Sequence, residues 1–323
     1  MLPLKRIICP TDFSDFSYEA IEKGAELARH FGAELCLVHV TQLIHPIQGM
    51  SPYAGHAGFD TPEYEQVVCE GAERELGEVM ARHHLNDVRV RYVVRRGSPA
   101  DEIVAAADEE KADLIILPTH GLTGWRSHIF GSVAEKVMRL ARCPVLLKRA
   151  RDAEQTMDAV ELATMPRRIL CSTDWSEPSF AALQVAGEWA THFGAELCLI
   201  HVVEPMGSPG LILSREEIEE SMQSDALQHL QQVLHEQLPQ VASARAIVRI
   251  GSAADEIAAA AIDENADLVV IATHGASGWH AVLSGTRIEH LLFGSVATNV
   301  VRLTTCPVLT VRLPLEHSIV EVR

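Results

Sequence analysis

The hydrophobic residues follow two alternating patterns along the chain. Short runs that are almost wholly apolar have the length and composition of strands buried on both faces of a sheet. In the first half these runs lie at residues 7–9, 34–40, 114–117 and 145–148. Between them are longer stretches in which apolar residues recur every three or four positions, as on one side of a helix. These stretches lie at 17–31, 63–84, 99–110 and 133–140. The chain is therefore predicted to alternate strands and helices.

The same pattern occurs twice. The run RIICPTDFS at residues 6–14 returns as RILCSTDWS at 168–176, and HFGAELCL, which begins at His30, returns at His192. The offset between the copies changes only between elements, which indicates duplication of a whole domain rather than a short solenoid repeat. We predict domains at 1–150 and 166–313, joined by a linker at 151–165 and followed by a C-terminal tail at 314–323.

Alternating strands and helices predict a three-layer α/β architecture for each copy, with parallel strands and helices on both faces of the sheet. Ligands of such sheets bind at the carboxyl ends of the strands, where the strand order switches direction. The long segment at 43–62 contains several prolines and glycines and is predicted to be a loop.

Charge and composition exclude several classes of function. A net charge of −17 is unsuited to nucleic acid or to an anionic membrane surface, both of which need clustered Lys and Arg. No apolar run has the roughly 18 residues that a membrane span requires, and the N-terminus lacks the layout of a signal peptide. We expect a cytoplasmic protein. The seven cysteines show no C-x-x-C spacing, so we interpret them as small buried hydrophobic residues.

One repeated stretch has the arrangement of an anion-binding site. The fourth strand of each copy is followed by Thr-His-Gly, a loop, and Gly-Ser at the start of a helix. Nine residues separate Gly121 from Gly131, and eighteen separate Gly275 from Gly294. The first amides of a helix lack internal partners and lie at the positive end of its dipole, so this arrangement suits a phosphate group. Ordinary turn chemistry is the alternative explanation for these glycines.

Asp12 and Asp174 directly follow the first strand of each copy. There a carboxylate can accept hydrogen bonds from a ligand, or it can serve in capping the next helix together with Ser14 and Ser176. His120 and His274 either contact the ligand or simply bond to the backbone. No Walker A run, Gly-x-Gly-x-x-Gly, Gly-x-Ser-x-Gly or metal-ligand spacing is present.

These residues resemble the universal stress protein family in tandem form, over residues 4–149 and 167–312. The resemblance rests on the Asp after the first strand, the Thr-His-Gly and Gly-Ser-Val segments, and the Cys-Pro-Val-Leu strand that ends each copy. It implies a five-stranded parallel sheet in each domain, of the adenine nucleotide alpha hydrolase-like type, and binding of ATP, with or without Mg²⁺.

The resemblance also implies which residues contact the nucleotide. In the first copy, adenine and ribose would contact Pro10, Thr11, Asp12, Val40 and Leu117, and the phosphates would contact His120, Gly121, Gly131, Ser132 and Val133. The matching residues of the second copy are Thr173, Asp174, Val202, Ile271, His274, Gly275, Gly294, Ser295 and Val296.

Both copies depart from the motif Gly-x2-Gly-x9-Gly-(Ser/Thr) of the family members that bind ATP. Pro118 and Ala272 replace its first glycine, and proline cannot donate an amide hydrogen bond. The second copy also has nine extra residues in the loop. The first copy keeps the motif spacing between its later glycines, and the second keeps a backbone N–H at the position of the first glycine. We favour the first copy as the binding site.

We therefore expect an adenine-nucleotide-binding stress-response sensor or regulator that acts on an unknown protein partner, with at most slow ATP hydrolysis. A nucleotide-free scaffold that acts through dimer surfaces is the alternative, and an adenylating or hydrolysing enzyme is disfavoured for lack of a general base or metal cluster. Because dimers of the family pair through their last strands, residues 145–148 and 308–311 are expected to pair within the chain as a pseudo-dimer. Further homodimerisation is left open.

Overall fold

A computed structural model describes residues 1–41, 62–83, 85–119, 130–148, 165–204, 215–274 and 295–313. Most of the predicted loop at 43–62, and nearly all of the predicted linker and tail, lie outside these residues, as do His120, Gly121, Gly275 and Gly294. None of the helices in the described part of the chain combines the length and hydrophobicity needed to cross a bilayer.

Strands and helices alternate in both repeats, as predicted. The elements of the first repeat are β1 (Arg6–Thr11), α1 (Asp15–Phe31), β2 (Glu34–Thr41), α2 (Pro62–Arg82), β3 (Arg89–Arg96), α3 (Pro99–Glu109), β4 (Leu114–Pro118), α4 (Ser132–Leu140) and β5 (Val145–Lys148). Those of the second are β6 (Arg168–Ser172), α5 (Glu177–Phe193), β7 (Glu196–Val203), α6 (Arg215–Gln237), β8 (Ala244–Ile250), α7 (Ala253–Asp263), β9 (Leu268–Ala272), α8 (Ser295–Leu303) and β10 (Val308–Val311).

Each repeat forms a parallel sheet. In the first repeat the order β3-β2-β1-β4 is parallel at every pair. In the second, β8-β7-β6-β9-β10 gives the complete five-stranded parallel sheet that was predicted. The central strands are apolar on both faces; Ile7, Ile8 and Leu114, for example, are 0% exposed.

The last strands of the two repeats pair with each other, which confirms the predicted pairing. β5 and β10 run antiparallel, with Leu146 opposite Leu309 and Val145 opposite Thr310. The Thr310 hydroxyl donates to the Val145 carbonyl at 3.2 Å. The described residues form two compact units, and β5 belongs to the same unit as the second repeat.

α1 packs closely on the sheet because Gly24 faces it. A Cβ at this position would lie 2.5 Å from the Cys9 sulfur. Of the seven cysteines that were predicted to be buried, Cys9, Cys36, Cys171 and Cys198 are buried, whereas Cys69, Cys143 and Cys306 are half-buried. Burial raises the pKa of the Cys9 thiol above its ordinary range and that of Cys36 to about 11, so both remain neutral thiols. These two cysteines therefore serve packing rather than chemistry.

β3 is only partly buried along its length. The side chain of Tyr92, for example, is 41% exposed. In the first-repeat sheet β3 pairs with β2 alone, so it is an edge strand. Its arginines form ion pairs; Arg91, for example, pairs with Glu110. Charged side chains on an edge strand oppose pairing with another chain.

Candidate functional site

Strand order places the ligand crevice of the first repeat between β1 and β4. From β1 the chain builds outward through β2 to β3 and then returns to add β4 on the other side of β1. α1 packs on β1 and β4, whereas α4 packs against α3 in the other layer. The loops that follow β1 and β4 therefore leave toward opposite faces, and ligands of open α/β sheets bind in the gap between such loops. The same reasoning places the crevice of the second repeat between β6 and β9.

At the carboxyl end of β1, residues 11–14 form a tight hook. The Phe13 amide donates to Thr11 Oγ1 at 3.0 Å, and the Ser14 amide donates to Asp12 Oδ1 at 3.1 Å. Ser14 is the N-cap of α1, because its hydroxyl oxygen accepts from the Ser17 amide. Ser14, and not Asp12, therefore caps α1, and Asp12 holds Ser14 in place by accepting a hydrogen bond from its amide. Asp12 remains half-buried at the edge of the sheet.

The hook holds an aromatic residue in a left-handed conformation. Phe13 has φ of 63°, which is uncommon for a bulky side chain and costs about 1–3 kcal/mol. Its ring stacks on His39 at a centroid distance of 4.3 Å. His39 Nδ1 lies 2.9 Å from the Thr11 carbonyl oxygen, so this histidine ties the end of β2 to the hook.

The second repeat has the same hook with one difference. Trp175 takes the place of Phe13 with φ of 67°, and Ser176 caps α5. The Trp175 indole N–H donates to His201 Nε2 at 3.1 Å, and His201 Nδ1 lies 2.9 Å from the Thr173 carbonyl oxygen. Asp174 Oδ1 accepts from the Ser176 amide, and Asp174 is exposed. Neither aromatic residue was predicted to belong to the site, although the order Asp-aromatic-Ser in both copies was a usable signal.

The strand register puts three predicted base contacts on one face of the first sheet. Thr11 faces α1, because its Oγ1 lies 2.8 Å from the Ser17 hydroxyl. Side chains alternate along a strand, so Pro10 faces the layer of α3 and α4. The register of β1 with β2 and β4 places Val40 and Leu117 on that same face. Pro10 and Leu117 are buried and Val40 is half-buried, so together they form an apolar floor beside the hook.

The floor of the second repeat is different at one position. The corresponding side chains are those of Ser172, Val202 and Ile271, by the register of β6 with β7 and β9. Ser172, which occupies the place of Pro10, is 8% exposed and Ile271 is 5% exposed. A hydroxyl therefore replaces a purely apolar ring in this floor.

The start of α4 lies at the crevice and has no side-chain cap. The N-cap residue is Gly131, whose amide donates to the Thr119 carbonyl at 2.8 Å and so holds the helix start against the end of β4. Ser132 is exposed and Val133 half-buried. Gly131 has φ of −65° and ψ of 133°, a conformation open to any residue. Turn geometry therefore does not require glycine here, although glycine is also one of the residues that N-cap positions favour.

In the second repeat, Thr273 and His274 follow β9. The Thr273 amide donates to the Val311 carbonyl at 3.0 Å, and its hydroxyl lies 2.9 Å from His274 Nδ1. Burial, and then the nearby charge of Arg312, lowers the pKa of His274 to about 4. The imidazole is therefore neutral near pH 7 and can only exchange hydrogen bonds with a ligand. Ser295 and Val296 begin α8, exposed and half-buried.

The structure thus brings the hook, the apolar floor and the uncapped helix start to one sheet edge in the first repeat. His120 and Gly121, and in the second repeat Gly275 and Gly294, lie outside the described residues. Among the described residues, no three His, Cys, Asp or Glu side chains are grouped as metal ligands.

Comparison with known proteins gives one consistent family. A family model described as the universal stress protein family matches residues 3–149 and again 165–312. Universal stress protein MJ0531 of Methanocaldococcus jannaschii is 35% identical over 144 residues, which are 44% of this chain and 81% of that protein. A Thermus aquaticus universal stress protein is 35% identical over 146 residues, 45% of this chain and 98% of that protein. A crystal structure of a universal stress protein from Archaeoglobus fulgidus has the same fold, with TM-score 0.67, 20% identity and 97% of each chain covered.

Proposed function

The chain belongs to the universal stress protein family, and from that premise we propose that it binds an adenine nucleotide, ATP or a relative of it, at the β1–β4 edge of its first repeat. Binding there reorganises the loops at the sheet edge and so changes a surface that a protein partner recognises. The protein works as a stress-response sensor or regulator in this proposal, and turnover of the nucleotide is not required.

The observation that carries the proposal is the start of α4. Its first amides have no side-chain cap, Gly131 needs no special torsion, and the Gly131–Thr119 bond holds this helix end at the crevice. Backbone N–H groups at a helix start, together with the helix dipole, form a site for a phosphate. In this proposal, the absence of a side chain at residue 131 leaves the approach to these amides open.

In this proposal, the hook and the floor contact the ribose and the base of the nucleotide. An adenine ring would lie on the apolar surface of Pro10, Val40 and Leu117. Asp12, in the hook at the end of β1, would accept a hydrogen bond from a ribose hydroxyl. Mg²⁺, where it accompanies the nucleotide, would be held through the phosphate oxygens.

A nucleotide-free scaffold is the second candidate, and Pro118 is the observation that favours it. Proline at the end of β4 removes one amide from the crevice, so any phosphate contact that needs this N–H is lost. The two candidates differ in a single measurable property, which is affinity for ATP.

Isothermal titration calorimetry of the purified full chain with ATP tests the proposal. We expect Gly131→Val to abolish binding at the first repeat, because its side chain blocks the approach to the α4 amides. The matched control is Gly77→Ala in α2, where a Cβ meets no atom within 4 Å and binding should be unchanged. Absence of ATP binding by the wild-type chain would support the scaffold instead, and wild-type affinity in Gly131→Val would reject the first-repeat site.

A further inference from the structure

Two histidines hold the ring of Trp175 in the second repeat. The indole N–H of Trp175 donates to His201 Nε2 at 3.1 Å. The same ring stacks face to face on that of His229 in α6, with a centroid distance of 4.3 Å and an angle of 5° between the planes. Trp175 therefore connects the hook of the second repeat both to β7 and to α6.

The two hydrogen bonds of His201 fix its charge. Its Nδ1 lies 2.9 Å from the Thr173 carbonyl oxygen, which can only accept, so this nitrogen carries the hydrogen. The indole N–H of Trp175 can only donate, so His201 Nε2 presents its lone pair. Both bonds exist together only in the neutral imidazole. A proton added to His201 Nε2 therefore breaks the bond to Trp175.

The stack on His229 responds to protonation in the opposite sense. His229 is exposed, so its ring exchanges protons with water. A cation over the face of a tryptophan ring is attracted by the ring quadrupole, an attraction that a neutral imidazole lacks. Acid therefore weakens the contact of Trp175 with β7 and strengthens its contact with α6.

The charges on the surrounding elements favour protonated histidines. The charged groups in the hook, in the first turn of α5, one turn before His229 on α6 and directly after β7 are exposed carboxylates: Asp174, Glu177, Asp225 and Glu204. The residue of β8 that pairs with His201 is the apolar Val248, and Arg249 beside it forms an ion pair with Asp263 of α7. Negative charge stabilises an imidazolium, so it partly offsets the loss of the indole bond.

We propose that the hook of the second repeat is a pH-sensitive switch, in which protonation of His201 breaks the indole bond and leaves the Trp175 ring stacked on His229. Imidazole is the side-chain group whose charge ordinarily changes between about pH 5 and 8. The first repeat lacks this switch, because Phe13 has no N–H group to donate to His39. Mild acid therefore alters the hook of one repeat and not, by this route, that of the other. The inference involves no nucleotide and goes beyond the proposed function.

The test follows the indole N–H signals of the full chain by NMR between about pH 8 and about pH 5. The signal of Trp175 is identified by its loss in Trp175→Phe. In the wild type it should move upfield through one transition as the pH falls, while NOEs between the Trp175 and His229 rings persist at the acid end. The signal of Trp189, which is 2% exposed within α5, is the internal reference and should not move.

Two variants identify the group that takes up the proton. His201→Gln cannot titrate, so the transition of the Trp175 signal should disappear. His229→Gln keeps His201, so the transition should remain.

Each contrary result overturns the proposal. An unmoved Trp175 signal in the wild type shows that the indole bond does not respond to acid. A transition that persists in His201→Gln, or one that vanishes in His229→Gln, shows that another group is the sensor. Loss of the NOEs to His229 at low pH shows that the ring leaves α6 as well. None of these results bears on ATP binding, so the proposed function stands or falls separately.

Discussion

Asp113 joins the starts of the two strands that flank the crevice, and its removal gives a sharp stability prediction. Asp113 Oδ2 accepts from the Lys5 amide at 2.7 Å and from the Arg6 amide at 2.9 Å. The Asp113 amide in turn donates to the Arg6 carbonyl at 2.9 Å. One carboxylate therefore holds β1 and β4 in register from the amino ends, opposite the hook. We predict that Asp113→Ala destabilises the first repeat.

The magnitude follows from the two bonds that the carboxylate makes. A hydrogen bond to a charged group contributes about 1.5–3 kcal/mol to stability. Water can replace the bond to the exposed Lys5 amide at small cost, whereas the Arg6 amide is partly buried. The expected loss is therefore about 2–4 kcal/mol, a large share of the roughly 5–15 kcal/mol that stabilises a typical domain. Asp113→Asn keeps one acceptor oxygen and should lose about half as much.

Urea unfolding followed by far-ultraviolet circular dichroism measures this loss. Asp267→Ala tests the same contact in the second repeat, because Asp267 Oδ2 accepts from the Arg167 and Arg168 amides, both at 2.9 Å. Asp225→Ala, at an exposed position in α6, is the control and should change stability by less than about 0.5 kcal/mol. A change of that small size in Asp113→Ala would refute the reasoning, since the amides would then be equally well satisfied by water.

Three further predictions concern other parts of the chain. Gly77→Ala should stabilise the protein by about 0.5–1 kcal/mol, because the new Cβ in α2 meets no atom within 4 Å. Gly32→Ala should destabilise the protein by about the same amount, because Gly32 has φ of +64°. Thermal unfolding measures both changes. His274 should titrate near pH 4 by NMR, and Arg312→Gln should raise that pKa without restoring 6.5, because burial is the larger cause. Because the pKa of His274 is lowered in the folded state, the unfolded chain binds this proton first as the pH falls from about 6.5 to 4. The free energy of unfolding of the wild type should therefore decrease across that window. His274→Asn should lack this contribution to the decrease. Trp175→Phe removes the indole donor to His201, and the second repeat should lose about 0.5–1.5 kcal/mol by urea unfolding.

Much of the fold followed from local patterns in the sequence. Strands such as β2 and β4 are apolar on both faces, so their runs were visible without any long-range information. The internal repeat located equivalent residues, and the family resemblance correctly indicated that β5 and β10 pair. The helix predicted from Ser17 begins at Asp15 instead, because the capping bond of Ser14 starts α1 earlier than its apolar stripe.

The features that escaped prediction depend on contacts between distant residues. The left-handed conformation of Phe13 is held by two side-chain acceptors and by stacking on His39, which lies 26 positions along the chain. The low pKa of His274 depends on burial and on Arg312 of a different segment. Neither of these features leaves a periodic signal in the sequence.

The central claim is that the first amides of α4 cradle the phosphates of a nucleotide. The most direct measurement is the amide NMR spectrum of the full chain during titration with ATP. We predict saturable shifts of the Ser132 and Val133 amide signals, while the amide of Ala100 at the start of α3 stays unchanged. ATP binding that leaves the Ser132 and Val133 signals in place would contradict the account.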